Sequence, residues 1–280
     1  MGAGAVGFYA PAWVFAGGPP GINFSSVRAA GMQDSNDTTA HGQVGADGLG
    51  ADTMLATKYF SGLRGGIVLE SGAVDGVELS ITHYLTRALD WRAIHVEASP
   101  FSFAALVKNR PDALNINAAL CAGARAVHYA FLDPADPRSP GTRPMEGILE
   151  FQDAPHKEAW AAVLGVADPN HAFPTVPCRP AAPLLRLFDI KHVHAWVLDV
   201  EGAEPSVIEA FDFSLIVVDV LVVEQLGPPD HDERVRTLLD ARGFDMHRKH
   251  GNDEFFVRRG FTPCADEDAA AGRCGAWEQF

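Results

Sequence analysis

Between residues 64 and 117 the sequence alternates short apolar runs with helix-like segments, and this alternation constrains the fold more than any other feature. Apolar runs at 67–69, 93–96 and 114–117 predict three strands, and the segments between them have helical spacing. A glycine-containing turn, 70–76, leads from the first strand to the first helix. Strands that alternate with helices are typical of a parallel sheet covered by helices on both faces. The sequence therefore predicts an α/β fold.

The remaining sequence predicts one domain with flanking segments. Regular patterns return with two strands (195–198 and 215–223), three helices (184–188, 204–210 and 232–242) and a closing hairpin (244–247 and 254–257). The segment 121–180 is less regular and predicts a β-rich insertion, with strands at 127–132 and 147–151. We therefore divide the chain into an irregular lead-in (1–53), a main domain (54–260) and an acidic tail (261–280).

Charge excludes some partners. The chain has 22 Lys and Arg against 36 Asp and Glu, a formal net charge of −14, and such a surface repels nucleic acids and anionic membranes. No segment reads as membrane-spanning: the apolar stretch 5–16 is interrupted by Gly7 and Pro11 and is too short to cross a bilayer. It is either a targeting segment or a poorly ordered tail. The compartment stays open.

The four cysteines give no metal motif. None of them forms a CxxC pair, and this excludes a zinc ribbon or a thioredoxin-type site. Cys264 and Cys274 flank a short loop and could pair in an oxidising compartment. Four free thiols are the alternative.

One glycine motif does not support a nicotinamide-dependent oxidoreductase. The sequence at 2–7 reads GAGAVG, which fits the dinucleotide pattern GxGxxG. That pattern binds a pyrophosphate only where a strand precedes it and a helix follows. No predicted strand precedes residue 2, so we discard this motif.

A second glycine motif stands in the right context for a nucleoside. Glu70, Gly72 and Gly76 follow the first strand and precede a helix, and Glu97 ends the next strand. Glycines let a backbone approach a ligand closely, and a carboxylate at the end of the second strand can accept hydrogen bonds from ribose hydroxyls. Glu70 would repel a pyrophosphate but suits the ammonium and sulfonium groups of S-adenosylmethionine. Alternatively, the glycines only make a tight turn and both acids are solvated.

Three carboxylates follow the strand at 195–198, where open α/β sheets bind ligands. Asp199, Glu201 and Glu204 lie within six residues. Crowded carboxylates raise one another's pKa, so one of them can act as a general base near neutral pH. They could instead bind Mg²⁺ or Ca²⁺, or favour the dipole of a helix N-terminus. We expect Asp199 and Glu201 to be functional and Glu204 to be structural, with no dedicated metal site.

The sequence resembles the FkbM-type S-adenosylmethionine-dependent methyltransferases, in particular a eukaryotic and algal-like branch. The resemblance runs from about residue 66 to residue 259. It is carried by the stretches GIVLESGAVDGVELSITHYLTRALDWRAIHVEASP, NINAALC, AWVLDVEGAEPSVIEAFDF and DVLVVE. It implies a class I methyltransferase fold, Rossmann-like, with a mostly parallel sheet, an antiparallel C-terminal hairpin and helices on both faces.

The resemblance also implies residue roles. It places Glu70, Gly72 and Gly76 around the methionine moiety, Glu97 on the ribose and Asn117 near the adenine. Asp75 and Ala118 belong to the same expected cofactor-binding set. Asp199, also counted as cofactor-binding, and Glu201 line the methyl-transfer end as the expected catalytic carboxylates.

The expected activity is O-methylation of a hydroxyl on a sugar or another small-molecule or glycan acceptor. The alternative is a methyltransferase-fold scaffold or binding subunit with a vestigial cofactor site. In that case the lead-in or the acidic tail would contact a protein partner.

Overall fold

The structure of the protein, a computed structural model, describes residues 15–16, 50–132, 146–225 and 227–271. Three features discussed above lie outside these residues: the glycine motif at 2–7, nearly all of the apolar stretch 5–16, and Cys274. The strands, in chain order, are β1 (Phe15–Ala16), β2 (Ile67–Ser71), β3 (Arg92–Glu97), β4 (Leu114–Asn117), β5 (Ala119–Leu120), β6 (Arg125–Ala130), β7 (Gly147–Ile148), β8 (Thr175–Arg179), β9 (His192–Leu198), β10 (Val217–Glu224), β11 (Phe244–His250) and β12 (Asp253–Arg258). The helices are α1 (Ala51–Met54), which continues as a π-helix (Leu55–Tyr59), α2 (Ile81–Leu89), α3 (Pro100–Asn109), α4 (Ala154–Leu164), α5 (Ala181–Arg186), α6 (Glu204–Ala210), α7 (Pro229–Ala241) and α8 (Asp266–Ala270).

The main sheet has eight strands in the order β1-β4-β3-β2-β9-β10-β12-β11. The five strands from β4 to β10 in this order are parallel, whereas β12 runs antiparallel to β10 and to β11. The predicted class I methyltransferase sheet, mostly parallel with an antiparallel C-terminal hairpin, is therefore confirmed.

Both faces of this sheet are buried, and alternation along the strands explains why. In β2, Val68 contributes to one core and Leu69 to the other. The first core also contains α1 and α2, whereas the second contains α5, α6 and α7. Burial on both faces produces the continuous apolar runs seen in the sequence, as expected for parallel strands covered by helices. The prediction of helices on both faces is confirmed.

The order of the parallel strands reverses between β2 and β9. The chain runs outward from β2 to β3 and β4 on one side, and from β9 to β10 on the other. The backbone N–H of Asp199, just after β9, donates to the carbonyl of Ser71 at the end of β2, at 3.0 Å. The carboxyl ends of the strands at such a reversal are where open α/β sheets bind ligands.

The insertion forms a second, four-stranded sheet with the order β5-β8-β6-β7. It contains the predicted strands only in part, because the second of them is reduced to Gly147–Ile148. The segment also contains α4, which sequence analysis did not predict. Asp153 caps the N-terminus of this helix by accepting a hydrogen bond from the N–H of His156, and Gly165 ends it with a left-handed conformation.

A disulfide joins Cys121 to Cys178, 57 residues apart, beside the parallel pair β5 and β8. Of the two alternatives for the cysteines, four free thiols is therefore wrong. The predicted pairing of Cys264 with Cys274 lies outside the described residues, because Cys274 is not among them.

The start of the main domain packs on the acidic tail. Phe60 and Cys264 form a β-bridge, and the ring of Phe60 contacts that of Phe261. Residues of both α1 and the π-helix are buried in the core of the main sheet. No helix in the described ranges has the length and apolar character needed to cross a membrane.

Candidate functional site

The turn after β2 brings the backbone of Gly72 against the backbone that follows β9. Gly72 has a φ of +87°, and a Cβ on this residue would lie 1.7 Å from the carbonyl oxygen of Asp199. Gly76 has a φ of +74°, and its Cβ would lie 2.6 Å from side-chain atoms of Leu106 and Arg110. Only glycine tolerates both the positive φ and these approaches. The glycine motif therefore sets the shape of the turn at the strand reversal.

Glu97 joins this turn to the next helix. Its Oε2 accepts a hydrogen bond from the N–H of Val74 at 2.8 Å, and its Oε1 accepts one from the N–H of Ser99 at 2.6 Å. The side chain is buried, and this burial raises its pKa to about 7, although the backbone hydrogen bonds act in the opposite direction. Each carboxylate oxygen keeps a further lone pair, so Glu97 can still accept hydrogen bonds from a ligand.

Glu70 has a different environment and does not line the cavity. Its Oε1 accepts a hydrogen bond from the N–H of Ile81, and its Oε2 accepts from the hydroxyls of Ser80 and Thr82. Burial raises the pKa of the Glu70 carboxyl. Burial likewise lowers the pKa of the neighbouring His95 to about 3, which leaves the imidazole neutral at neutral pH. Glu70 thus caps α2 from the end of β2.

The other expected cofactor residues stabilise the loops around the turn. The Oδ1 of Asp75 accepts hydrogen bonds from the N–H groups of Val77 and Glu78. The Nδ2 of Asn117 donates to the carbonyl of Glu97 at 2.8 Å, and Ala118 lines the cavity. Asp75 and Asn117 are therefore both occupied in local hydrogen bonds.

The acidic segment after β9 meets a third carboxylate that sequence analysis missed. Oxygens of Asp199, Glu201 and Glu224 all lie within 4.8 Å of one another. Burial, followed by the charge of Glu224, raises the pKa of Asp199 well above its ordinary value. The same two causes raise the pKa of Glu201 to about 7. Three carboxyl groups here can hold a proton near neutral pH or bind a cation.

Glu204, next to this group, has partners of its own. Its Oε1 accepts a hydrogen bond from the N–H of Val200 at 2.8 Å, and its Oε2 lies 3.2 Å from Nε2 of His231. Hydrogen bonding to Glu204 raises the pKa of His231. Glu204 thus connects the start of α6 to α7.

The turn, the strand ends and the insertion enclose one cavity of about 210 Å³. The insertion supplies a wall through β6 and β7. Tyr129 stands in this wall, and burial, followed by the charge of Glu97, raises its pKa. The lining includes Ser71, Gly72, Val74, Glu97, Ser102, Ala118, Tyr129, Glu146, Gly147, Ile148, Asp199 and Glu201. Five of the site residues expected from the sequence therefore line this cavity: Gly72, Glu97, Ala118, Asp199 and Glu201. The other four expected residues do not line it: Glu70, Asp75, Gly76 and Asn117.

Comparison with known proteins yields one family. The chain matches the model of the methyltransferase FkbM domain over residues 70–246. A search of curated protein sequences finds no match.

Comparison with solved structures finds distant methyltransferases. Precorrin-6y C5,15-methyltransferase from Geobacter metallireducens GS-15 is 11% identical, with 70% of this chain and 79% of that chain covered and a TM-score of 0.37. Fibrillarin from Aeropyrum pernix, solved with natively bound S-adenosyl-L-methionine, is 11% identical over 70% of this chain and 66% of that chain, with a TM-score of 0.36. A TehB-like SAM-dependent methyltransferase from Corynebacterium glutamicum is 10% identical over 70% and 82%, with a TM-score of 0.34. Scores this low add nothing about the ligand of the cavity.

Proposed function

Because the chain belongs to the FkbM methyltransferase family, we propose that it binds S-adenosylmethionine and methylates a hydroxyl oxygen of a sugar or another small-molecule or glycan acceptor. The observation that carries this proposal is the cavity at the strand reversal. There the glycine turn, Glu97 and the carboxylates of Asp199 and Glu201 face one space. The cofactor supplies a methyl group already activated by a sulfonium, so the protein's main task is alignment.

The residues fit an adenosyl cofactor. Because Gly72 has no Cβ, the backbone after β2 can lie directly against the backbone of Asp199 at the strand reversal. The free lone pairs of Glu97 suit ribose hydroxyls, and Ala118 offers an apolar surface in the same cavity. The carboxylates of Asp199 and Glu201, which also line the cavity, complement the positive charge of the sulfonium.

Proton transfer is the second task. A hydroxyl that gains a methyl group must lose its proton, and a carboxylate with a pKa near the operating pH is suited to accept it. Burial and crowding raise the pKa of Glu201 to about 7, and Asp199 stands beside it. We assign the proton-accepting role to this pair of carboxylates, with Tyr129 in the wall opposite the turn as a neighbour of the acceptor.

An aromatic surface near the cavity supports a sugar acceptor. Phe101 is 51% exposed at the start of α3, next to cavity-lining Ser102, and its ring contacts that of Phe131 at 4.7 Å between centroids. Carboxylates accept hydrogen bonds from sugar hydroxyls, and an exposed ring can cover the apolar face of a sugar. The Cys121–Cys178 disulfide favours an oxidising compartment, where glycans are exposed to enzymes.

A methyl-transfer assay tests the proposal. The protein is incubated with methyl-labelled S-adenosylmethionine and a panel of sugars, glycans and non-sugar alcohols, and the products are identified by mass spectrometry. We expect label on a hydroxyl oxygen, and a loss of rate of roughly 100-fold or more in Glu201→Gln or Asp199→Asn. The matched control is Glu150→Gln, since Glu150 lies outside the cavity and pairs with His128. Transfer to nitrogen or carbon, or full activity in both variants, would contradict the assignment.

A further inference from the structure

The carboxylates of Asp199, Glu201 and Glu224 form a group with the dimensions of a cation site. Each residue offers one oxygen, and these oxygens lie within 4.8 Å of one another. Glu201 has a φ of +55° and is followed by Gly202 with a φ of +96°, and this left-handed pair turns the chain back toward the strand ends. Two of the three ligands thus come from the turn after β9 and the third from the end of the adjacent parallel strand β10.

The strand register extends this group to a fourth carboxylate. Leu198 pairs with Val223 in the parallel ladder, so the following residues, Asp199 and Glu224, are neighbours. Glu224 in turn pairs directly with Asp253 of β12. Residues directly opposite one another in an antiparallel pair have their side chains on the same face of the sheet. Asp199, Glu224 and Asp253 therefore form a row of carboxylates across three strands.

Two oxygens in this row are buried and have no protein partner. Asp253 is only 5% exposed, yet its Oδ2 accepts no hydrogen bond. The Oδ1 of Asp199 is buried without a partner as well, and Asp199 lines the cavity. Asp199 shares a side-chain hydrogen bond with Glu224, and this bond leaves its Oδ1 unsatisfied. A buried carboxylate oxygen without a partner is costly, because it loses hydration without compensation. These oxygens therefore point to a missing positive ligand.

One basic side chain acts on the far end of this row: His250 pairs with Asp253 in the ladder between β11 and β12, and its charge opposes the rise in the pKa of Asp253. In the described part of the chain, neither Asp199 nor Glu201 forms an ion pair. Arg236 and Lys249 lie close to Glu254, on the alternate face of β12 from Asp253. Glu204, by contrast, has His231 and a backbone N–H as partners. Asp199 and Glu201 thus lack the basic partner that Glu204 has.

We propose that Asp199, Glu201 and Glu224 bind one hard divalent cation, such as Mg²⁺ or Mn²⁺, with Asp253 adding negative charge behind the site. Carboxylate oxygens are the ligands that these cations prefer, and three of them leave coordination positions for water or a substrate oxygen. Cation binding itself does not depend on the proposed function. Its role in catalysis does: a hydroxyl bound to the cation would lose its proton more readily, while each carboxylate keeps a second oxygen.

Metal titration of the protein without cofactor tests the site. The full chain is stripped with EDTA, dialysed into 0.15 M NaCl, and titrated with MgCl₂, MnCl₂ and CaCl₂ by calorimetry, with the melting temperature followed in parallel. We expect one ion per chain and at least tenfold weaker binding in Glu224→Gln and Asp253→Asn. Glu150→Gln, an exposed acid elsewhere on the surface, should bind as the wild type does.

The metal-free variants separate loss of binding from loss of folding. Removal of one charge from the crowded row should leave the metal-free melting temperature of Glu224→Gln equal to or above that of the wild type, while its increase with added metal disappears. Absence of saturable binding by the wild type in the millimolar range would overturn the proposal. So would equal affinity of wild type and Glu224→Gln. Cofactor binding measured with EDTA present reports on the proposed function independently.

Discussion

Replacement of Gly72 by alanine should disrupt both the fold and the cofactor site. The new Cβ would lie 1.7 Å from the carbonyl oxygen of Asp199, far inside contact distance, so the end of β2 and the start of the acidic segment must separate. Alanine also pays about 1–2 kcal/mol for a left-handed conformation. Overpacking that forces a backbone shift adds about 1–3 kcal/mol. We therefore expect Gly72→Ala to lower the free energy of unfolding by about 2–5 kcal/mol.

Gly243 provides a matched control. Its φ of +85° is nearly that of Gly72, but a Cβ there would meet no atom within 4 Å. Gly243→Ala should therefore pay only the conformational cost of about 1–2 kcal/mol and keep its cofactor affinity. Urea denaturation gives the two free energies, and calorimetry gives the affinities for S-adenosylmethionine. Equal stability of the two variants together with unchanged cofactor affinity in Gly72→Ala would refute the close-approach argument.

Three further predictions concern the groups around the cavity. Burial raises the pKa of Glu97 to about 7, so its carboxylate becomes neutral as the pH falls below 7. The affinity for S-adenosylmethionine should therefore decrease by up to about tenfold per pH unit below pH 7 and stay constant above it. Glu97→Gln should flatten this pH profile in calorimetric titrations, and an unchanged slope in the variant would refute the role of Glu97. Replacement of Cys121 and Cys178 by alanine should destabilise the chain by about 4 kcal/mol in urea denaturation without reducing agent, from the 57-residue separation, and a stability equal to that of the wild type would contradict this. Glu70→Ala leaves the N–H of Ile81 without its cap and should cost about 2–4 kcal/mol, whereas a stability equal to that of the wild type would show that the cap is dispensable.

The alternation of strands and helices could be predicted because both faces of the main sheet are buried. Continuous apolar runs such as β2 and β10 stand out against amphipathic helices, and an acid directly after such a run, as at Glu97, must lie at the carboxyl edge of the sheet. The insertion gave no such signal, because its strands are short and its helix α4 buries mainly Trp160. Its position over the cavity, which brings Tyr129 to the site, depends on contacts distant in sequence.

Three features of the site were beyond sequence reasoning for related reasons. Glu224 ends β10, and only the register between β9 and β10 shows that it faces Asp199. The Cys121–Cys178 pairing follows from the parallel contact of β5 with β8, which cysteine spacing does not encode. Glu70 lies within β2 rather than in the turn predicted after it, and its place near the strand end does not reveal whether its side chain faces the cavity or, as here, the N-terminus of α2.

Calorimetric titration of the purified protein with S-adenosylmethionine, S-adenosylhomocysteine and NAD tests the central claim most directly. The cavity at the strand reversal, with Gly72 and Glu97 in its wall, predicts saturable one-to-one binding of both adenosyl compounds and none of NAD. Failure of both adenosyl compounds to bind, or saturable binding of NAD, would contradict the account of this site.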